Sequence, residues 1–254
     1  MNVDKYKELK ELKYSRIQIA TFFNVTENQI KSFIKKNNLG TVKPVVNNIN
    51  AFSTYNEYSA YWGGFIAADG CVTGGTLKIC LGYDDLSHLE KFKDFMKNTH
   101  KITVNTDTYY RCEMSFKQEQ VISDLDKNFN IVPNKSLVYK LPSKIPEDVF
   151  RHYLRGLFDG DGCICESFSN KNSTTATLYT TITGSEFLIE NLYIKINDIL
   201  GISGTVQSKP GCKVIKYCTK SSFILLNYMY EDSTVYLDRK FNMYKNILNQ
   251  RKTR

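Results

Sequence analysis

Trp62–Gly70 (WGGFIAADG) and Leu154–Gly162 (LRGLFDGDG) are two copies of one nine-residue pattern. Each copy places two small residues four positions apart: Gly64 and Ala68 in the first, Gly156 and Gly160 in the second. Because residues four apart lie on one face of a helix, each copy predicts a helix with a stripe nearly free of side chains. Two such stripes allow two helix backbones to pack at close range.

An Asp-Gly pair closes each copy: Asp69-Gly70 and Asp161-Gly162. Glycine suits the left-handed position that ends a helix, so both aspartates are expected at the last turns of two packed helices. Helix C-termini carry partial negative charge and neighbouring carboxylates repel each other. A hard divalent cation would compensate both effects. The sequence therefore predicts a metal site at Asp69 and Asp161 with the adjoining Gly70 and Gly162. Two ordinary helix ends are the alternative, which the matching context of the copies disfavours.

The segments around the motifs follow one order of elements twice, helix-strand-strand-helix-strand-strand-helix, with the motif aspartates 92 residues apart. This internal repeat predicts an α+β fold with a first repeat at residues 57–140 and a second at 141–254. Residues 41–56 contain Pro44 and an asparagine cluster without a sustained hydrophobic period, which is typical of a linker.

Residues 1–40 predict three short helices. Ser15 with Gln18, and Thr26 with Gln29, have the spacing of capping boxes that begin helices. The apolar residues that follow the first box are expected to be buried: Ile19, Ala20, Phe22 and Phe23. In the next helix, Ile30, Phe33 and Ile34 form the apolar side.

The turn between these two helices is very short, since only Asn24 and Val25 separate them. Such a pair resembles a DNA-binding helix-turn-helix. Eight positive and four negative side chains fall in residues 1–40, so half of the net charge of +8 lies there and favours a polyanionic partner. The candidates for contacts to bases and phosphates are Asn28, Lys31, Ser32 and Lys35. A helical hairpin used only for packing is the alternative.

The sequence excludes several other classes of protein. No apolar run approaches the length of a membrane span, and the N-terminus has no apolar signal segment. The seven cysteines are odd in number and form no CxxC pair, so we expect reduced thiols and a cytoplasmic protein. Richness in Lys, Asn, Ile and Tyr suggests an AT-rich genome of bacterial or phage origin. No P-loop, GxGxxG, GxSxG or HExxH motif of a metabolic enzyme occurs.

The paired motifs resemble those of the LAGLIDADG homing endonuclease family, and the second copy matches the consensus closely. The first copy departs from it, with Ala67 where the second has Asp159 and Trp62 in place of the leading leucine. The family's metal-binding acid is the second acidic position, kept here as Asp69 and Asp161. The resemblance covers roughly residues 55–250.

The resemblance implies a monomer with pseudo-twofold symmetry and two saddle-shaped antiparallel sheets that straddle the major groove of double-stranded DNA. Such an enzyme hydrolyses both strands of a long asymmetric site and leaves short 3′ overhangs. The implied cofactor is Mg²⁺, for which Mn²⁺ would substitute, whereas Ca²⁺ would support binding without cleavage.

Two further segments are similar to conserved stretches of bacterial and phage members of the family: Asn130–Ser136 (NIVPNKS) and Tyr236–Lys240 (YLDRK). In the family a lysine near each acid supports the reacting water or the phosphate charge, which makes Lys135 and Lys240 the candidates here. An ammonium group can stabilise a pentacovalent phosphate without transferring a proton. Two solvated surface lysines are the alternative.

Alternate side chains of the sheets are expected to face base edges. The sequence leaves open which alternation faces DNA, and the candidate residues on these strands are Lys78, Arg111, Glu113, Thr177, Tyr179 and Lys213.

The competing hypothesis is a nucleic-acid binder that does not cut, because RNA maturases and transcriptional regulators occur on the same scaffold. Loss of a motif aspartate would be its sign. Both aspartates are present, which favours the endonuclease, and no feature of the sequence supports an RNA intron as the partner. The terminal His-Asn pair that an intein requires is absent.

Overall fold

The computed structural model describes residues 1–39, 45–106, 110–168 and 176–252. The chain divides into two compact units, Met1–Pro44 and Val45–Arg254.

The N-terminal unit contains α1 (Val3–Glu11), α2 (Arg16–Phe22) and α3 (Glu27–Lys36). Both predicted capping boxes are confirmed: Gln18 and Gln29 each accept a hydrogen bond from the N-cap backbone of their own helix, at 2.8 Å. The small core of this unit consists of Tyr6, Leu9, Ile19, Ala20 and Ile30.

Phe22 was predicted to be buried in α2, but its side chain is 53% exposed. Ile19 and Ala20 define the inward face of this helix, and Phe23 packs beside them. Phe22 lies off that face, where the ammonium group of Lys5 lies 5.7 Å from its ring centre. The predicted burial was therefore wrong for Phe22.

The larger unit contains the predicted order of elements twice. The first repeat consists of α4 (Glu57–Asp69), β1 (Gly70–Thr73), β2 (Thr76–Gly82), α5 (Leu86–Phe95), β3 (Thr103–Asn105), β4 (Arg111–Lys117) and α6 (Glu119–Phe129). The second consists of α7 (Glu147–Asp161), β5 (Gly162–Phe168), β6 (Ala176–Gly184), α8 (Glu186–Leu200), β7 (Thr205–Lys209), β8 (Cys212–Cys218) and α9 (Thr219–Tyr230). A closing helix, α10 (Asp238–Lys252), follows.

Each repeat forms one antiparallel sheet of four strands, which confirms the predicted α+β class. The strand order is β1-β2-β4-β3 in sheet 1 and β5-β6-β8-β7 in sheet 2. Leu77, Ile79 and Leu81 alternate with accessible residues along β2, and they join the core that α4 and α7 share. Each sheet therefore has one buried face and one open face.

Residues 45–56, which were predicted to belong to the linker, pack against the larger unit. Phe52 is fully buried in its core, and the Asn128 side chain donates a hydrogen bond to the Phe52 carbonyl at 2.8 Å. The Asn48 side chain donates to the Phe95 carbonyl at the same distance. The asparagine cluster therefore binds backbone instead of forming a free linker. The rest of that predicted linker, residues 41–44, lies outside the described residues.

Among the described residues, no helix is both long and apolar enough to cross a membrane.

Candidate active site and nucleic-acid interface

The backbones of α4 and α7 touch at two glycines. A Cβ atom added to Gly64 would lie 2.1 Å from the carbonyl oxygen of Tyr153, and one added to Gly156 would lie 1.9 Å from that of Tyr61. The two contacts are related by the 92-residue repeat. The predicted close packing of two small-residue stripes is confirmed.

The same stripe continues to the ends of the two helices. A Cβ atom on Gly160 would lie 2.3 Å from that of Ala68 and 3.2 Å from Oδ2 of Asp69. Asp69 and Asp161 are the last residues of α4 and α7. The absence of a side chain at Gly160 therefore lets the acid of the first repeat approach the end of the second motif helix.

Gly70 and Gly162 do not adopt the left-handed conformation that was predicted for the ends of α4 and α7. Their backbones are extended, with φ of −84° and −89°, and each begins a strand. A Cβ atom on Gly70 would lie 2.5 Å from Cγ2 of Ile66, and one on Gly162 would lie 2.3 Å from Cδ2 of Phe158. Lack of space beside the preceding helical turn, and not a left-handed conformation, accounts for glycine at both positions.

The two motif aspartates interact electrostatically across the helix pair. Desolvation raises the pKa of Asp69 to about 6, with a further contribution from the negative charge of Asp161. Desolvation also raises the pKa of Asp161. Both side chains reach solvent, so water and a ligand can approach carboxylates that are crowded by protein. Positive charge placed between them would relieve the repulsion.

Both predicted lysines are buried near the acids. Desolvation lowers the pKa of Lys135, whereas Asp161, Cys71 and Asp69 raise it, in that order of strength. Lys135 is 6% exposed and lies in a 3-10 helix, Lys135–Leu137. Its ammonium group forms no hydrogen bond with any part of the chain that the structure describes. Lys135 of the first repeat therefore presents an available positive charge mainly to the acid of the second.

Lys240 differs from Lys135 in its contacts. Its Nζ donates to the carbonyl oxygens of Phe158 and Gly162 at 2.6 Å and to that of Asp159 at 2.8 Å. Burial lowers the pKa of Lys240 to about 8, so the ammonium form still predominates at neutral pH. All three N–H donors are used to hold the C-terminal end of α7.

The metal site predicted from the sequence fits a cation that keeps much of its own hydration. Within the described residues, no cluster of three or more His, Cys, Asp or Glu side chains could hold an ion. Two carboxylates alone suit Mg²⁺, which commonly takes one or two of them and fills its other positions with water and phosphate oxygens. The Lys240 contact argues against Gly162 as a ligand, because an ammonium group and a metal ion on one carbonyl would repel each other.

Sequence reasoning missed a buried network around Asp159. This side chain is fully buried and accepts hydrogen bonds from the hydroxyl groups of Tyr61 and Tyr230 and from the Leu237 amide. Desolvation raises the pKa of Asp159, whereas Lys240, both tyrosines and Leu237 lower it. The sequence signal for this network is that the first motif has Ala67 at the position of Asp159. Only the second motif therefore has an acid there, and this acid joins α7 to α4, to α9 and to the segment before α10.

Arg155 is a second buried residue that sequence reasoning missed. Its guanidinium group is fully buried and forms a 2.8 Å ion pair with Glu57. It also donates to the carbonyl oxygens of Val235 and Met229, each at 2.8 Å. Arg155 therefore connects the start of α4 to the last turn of α9 and to the segment that follows α9, and it supports the scaffold of the site.

The structure settles which alternation of each strand is accessible. In sheet 1, Lys78, Arg111 and Glu113 all lie on the open face, opposite the buried Ile79 and Met114. Lys78 forms a 2.7 Å ion pair with Glu113. The three predicted residues of sheet 1 can therefore reach a ligand from one surface, although two of them neutralise each other.

In sheet 2, two of the three candidate residues lie on the open face and the third does not. Thr177 and Tyr179 lie on its open face, whereas Lys213 pairs in register with Gly184 on the helix side. There its ammonium group forms ion pairs of 2.6 Å with Glu186 and Glu190 of α8. The structure thus argues against base recognition by Lys213, because two carboxylates hold its ammonium group on the helix side of the sheet, away from the open face.

Lys216 is the lysine that sequence reasoning missed on the open face of sheet 2. Its Nζ lies 4.1 Å from the centre of the Tyr179 ring, within cation–π range. Its register partner is Thr181, on the same face. Because Val214 and Ile215 are both apolar, the sequence of β8 does not show which of its two lysines lies outside. The full burial of Ile215 in the structure identifies Lys216 as that lysine.

In the N-terminal unit, all four predicted contact residues are exposed on α3: Asn28, Lys31, Ser32 and Lys35.

No protein-family model matches the sequence, and no curated protein matches it. Solved structures do match the fold. The I-LtrWI LAGLIDADG homing endonuclease, solved bound to target DNA, has 14% sequence identity and a TM-score of 0.58, over 82% of this chain and 92% of the other. The LAGLIDADG meganuclease I-AabMI, bound to uncleaved DNA, has 16% identity and a TM-score of 0.56, over 78% and 92%. The meganuclease I-CpaMI, also bound to uncleaved DNA, has 11% identity and a TM-score of 0.57, over 79% and 93%.

This chain therefore has the fold of the double-motif LAGLIDADG homing endonucleases. The resemblance predicted from Trp62–Gly70 and Leu154–Gly162 is confirmed at the level of the fold.

Proposed function

We propose that this protein is a site-specific endonuclease that hydrolyses both strands of a double-stranded DNA target with a divalent metal ion. The observation that carries the proposal is the pair Asp69 and Asp161, at the ends of two helices whose backbones touch, with Lys135 buried beside both. The fold is shared with endonucleases that were solved bound to DNA. The +8 net charge favours the same partner.

The residues of this chain would divide the work as follows. Asp69 and Asp161 would hold Mg²⁺, which when bound supplies an activated water and offsets charge on the reacting phosphate. Lys135 would direct its ammonium charge at the phosphate as negative charge builds up. Lys240 would act through α7, by fixing the helix end that carries Asp161.

Binding would use the open faces of the two sheets together with α3. Lys78 and Arg111 in sheet 1, and Tyr179 and Lys216 in sheet 2, are accessible polar side chains on alternate strand positions. Such side chains can contact base edges and phosphates in the major groove. Asn28 and Lys31 on α3 would extend the footprint of the protein along the duplex.

The test begins with selection of duplexes from a random library in Ca²⁺, followed by a change to Mg²⁺ and mapping of cuts on each strand. Asp69→Asn and Asp161→Asn are compared with Asp126→Asn, which removes an exposed carboxylate on α6. We expect the parent protein and the Asp126 variant to cut both strands, and each motif variant to lose cutting or to nick one strand. Specific binding without cutting in Mg²⁺ or Mn²⁺ would overturn the proposal and favour a regulator or a maturase-like binder.

A further inference from the structure

Cys163 and Cys165 form a close pair of free thiols at the start of β5. Their Sγ atoms lie 3.1 Å apart. Both side chains point to the open face of sheet 2, because Ile164 between them is buried. Cys163 is exposed and Cys165 is half-buried, so a small oxidant in solution can reach the pair.

The strand geometry permits a disulfide between these two residues. Alternate residues of a strand are separated by about 6.6–6.8 Å, which is at the upper end of the Cα separation that a disulfide spans. The bond would form without breaking the sheet, but it would be strained. Strained, exposed disulfides are the ones that reductants open easily.

The pair lies beside the groups that serve the proposed function. Cys163 is two residues from Asp161 and pairs in register with Thr181, and Cys165 pairs with Tyr179. Tyr179 faces Cys165 across the strand pair, and Cys165 raises the pKa of the Tyr179 hydroxyl group. Lys216 lies over the Tyr179 ring. A chemical change at the two sulfur atoms would therefore alter the surroundings of polar side chains on the open face.

We propose that Cys163 and Cys165 are a site of reversible oxidative modification by a peroxide. One thiol attacks the peroxide oxygen to give a sulfenic acid and releases water; the second thiol then attacks that sulfur, forming the S–S bond and releasing a second water. The two sulfur atoms lose two electrons, the peroxide gains them, and the two thiol protons leave in the water. The disulfide changes the sulfur atom that faces Tyr179 across the strand pair, next to Lys216, and lowers the affinity of sheet 2 for DNA. This consequence, unlike the chemistry, depends on the proposed function.

The first repeat provides a matched control. Cys71 follows Asp69 as Cys163 follows Asp161, but the residue two positions further is Thr73. The Cys71 sulfur lies 3.4 Å from the Thr73 hydroxyl oxygen, so the geometry is similar and the second thiol is missing. Thr73→Cys should create a second pair with the same behaviour.

The experiment exposes the full-length reduced protein to limiting hydrogen peroxide, blocks the remaining thiols with a maleimide and analyses the peptides by mass spectrometry. We expect the peptide that contains Cys163 and Cys165 to lose two hydrogen atoms and to escape the maleimide, whereas Cys71 stays labelled. Cys165→Ser should abolish this product, and Thr73→Cys should add a second one. Maleimide on both Cys163 and Cys165 after peroxide, or pairing with other cysteines, would overturn the proposal.

A second readout measures affinity for a labelled mixed-sequence duplex in Ca²⁺. Oxidation should weaken binding by about threefold to tenfold, the size of the effect of one lost polar contact to DNA, and dithiothreitol should restore it. Cys165→Ser should show no response to peroxide. An oxidised pair with unchanged affinity would overturn the regulatory consequence, whereas a reduced protein that binds no DNA would overturn the proposed function and leave the thiol chemistry standing.

Discussion

The Nζ atom of Lys240 lies 2.6 Å from the carbonyl oxygen of Gly162, the residue that directly follows Asp161. Two more carbonyl oxygens of α7, those of Phe158 and Asp159, accept from the same ammonium group. A lysine on α10 thus neutralises the negative end of the helix that carries the second motif acid.

Lys240→Met should therefore reduce mainly the stability of the protein, whereas Lys135→Met should reduce mainly its cleavage activity. Loss of Lys240 leaves three carbonyl oxygens without their donor, so unfolding free energy should fall by about 2 kcal/mol or more. Lys135 makes no such bonds in the described chain, and removal of a buried charge should change stability by no more than about 1 kcal/mol. Cleavage should still fall about 100-fold with Lys135→Met, as for other groups that stabilise developing charge.

Urea unfolding and single-turnover cleavage of the two variants measure this contrast. Equal loss of stability in both variants would contradict the separate roles, and so would full cleavage activity in Lys135→Met.

The contact between the motif helices makes a second prediction. Gly156→Ala improves helix propensity by about 1 kcal/mol, but its Cβ atom would lie 1.9 Å from the Tyr61 carbonyl oxygen. The Tyr61 carbonyl group belongs to a helix backbone and cannot rotate away as a side chain could. The cost of overpacking should therefore exceed the gain in helix propensity, and the protein should be destabilised by about 2 kcal/mol or more. Gly82→Ala is the control, since nothing lies within 4 Å of its added Cβ atom. A Gly156→Ala protein as stable as the control in thermal unfolding would refute the contact.

The paired motifs were enough to predict the helix contact, the α+β class and the two-repeat order. Small residues four apart have few uses other than close packing, and alternation along a strand shows directly in the sequence, as in Leu77, Ile79 and Leu81. The spacing of Ser15 with Gln18 likewise determined the start of α2, because a capping box is a local structure.

The parts that could not be predicted depend on long-range neighbours. Lys213 and Lys216 both alternate with apolar residues in β8, and only the position of α8 with Glu186 shows that Lys213 lies on the helix side. Lys240 donates its hydrogen bonds to Phe158, Asp159 and Gly162, in a segment about 80 residues away in sequence. Local spacing contains no information of either kind.

A third prediction concerns Asp159, which the first repeat replaces with Ala67. Asp159→Asn would turn an amide hydrogen toward donors, and the Leu237 amide cannot reverse its role. The protein should lose about 2–4 kcal/mol of unfolding free energy. Asp126→Asn on the surface of α6 should cost little. If urea unfolding gives the two variants the same stability, the buried network does not stabilise the join between α7 and α10.

Asp69→Asn should increase the free energy of unfolding, whereas Asp159→Asn decreases it. The direction follows from the raised pKa of Asp69. The carboxyl group titrates at about 6 in the folded protein, against an ordinary value of 3.8, so the folded state binds more protons between these pH values. Stability of the metal-free parent should fall as pH rises through that window and level off above it. The full shift corresponds to about 3 kcal/mol, but because Asp69 reaches solvent we expect Asp69→Asn to gain about 1 kcal/mol at pH 7.5 after screening. Urea unfolding in EDTA at pH 3, 5 and 7.5 measures the gain, which should be near zero at pH 3. A variant less stable than the parent at pH 7.5 would show that the two motif acids do not repel each other in the folded protein.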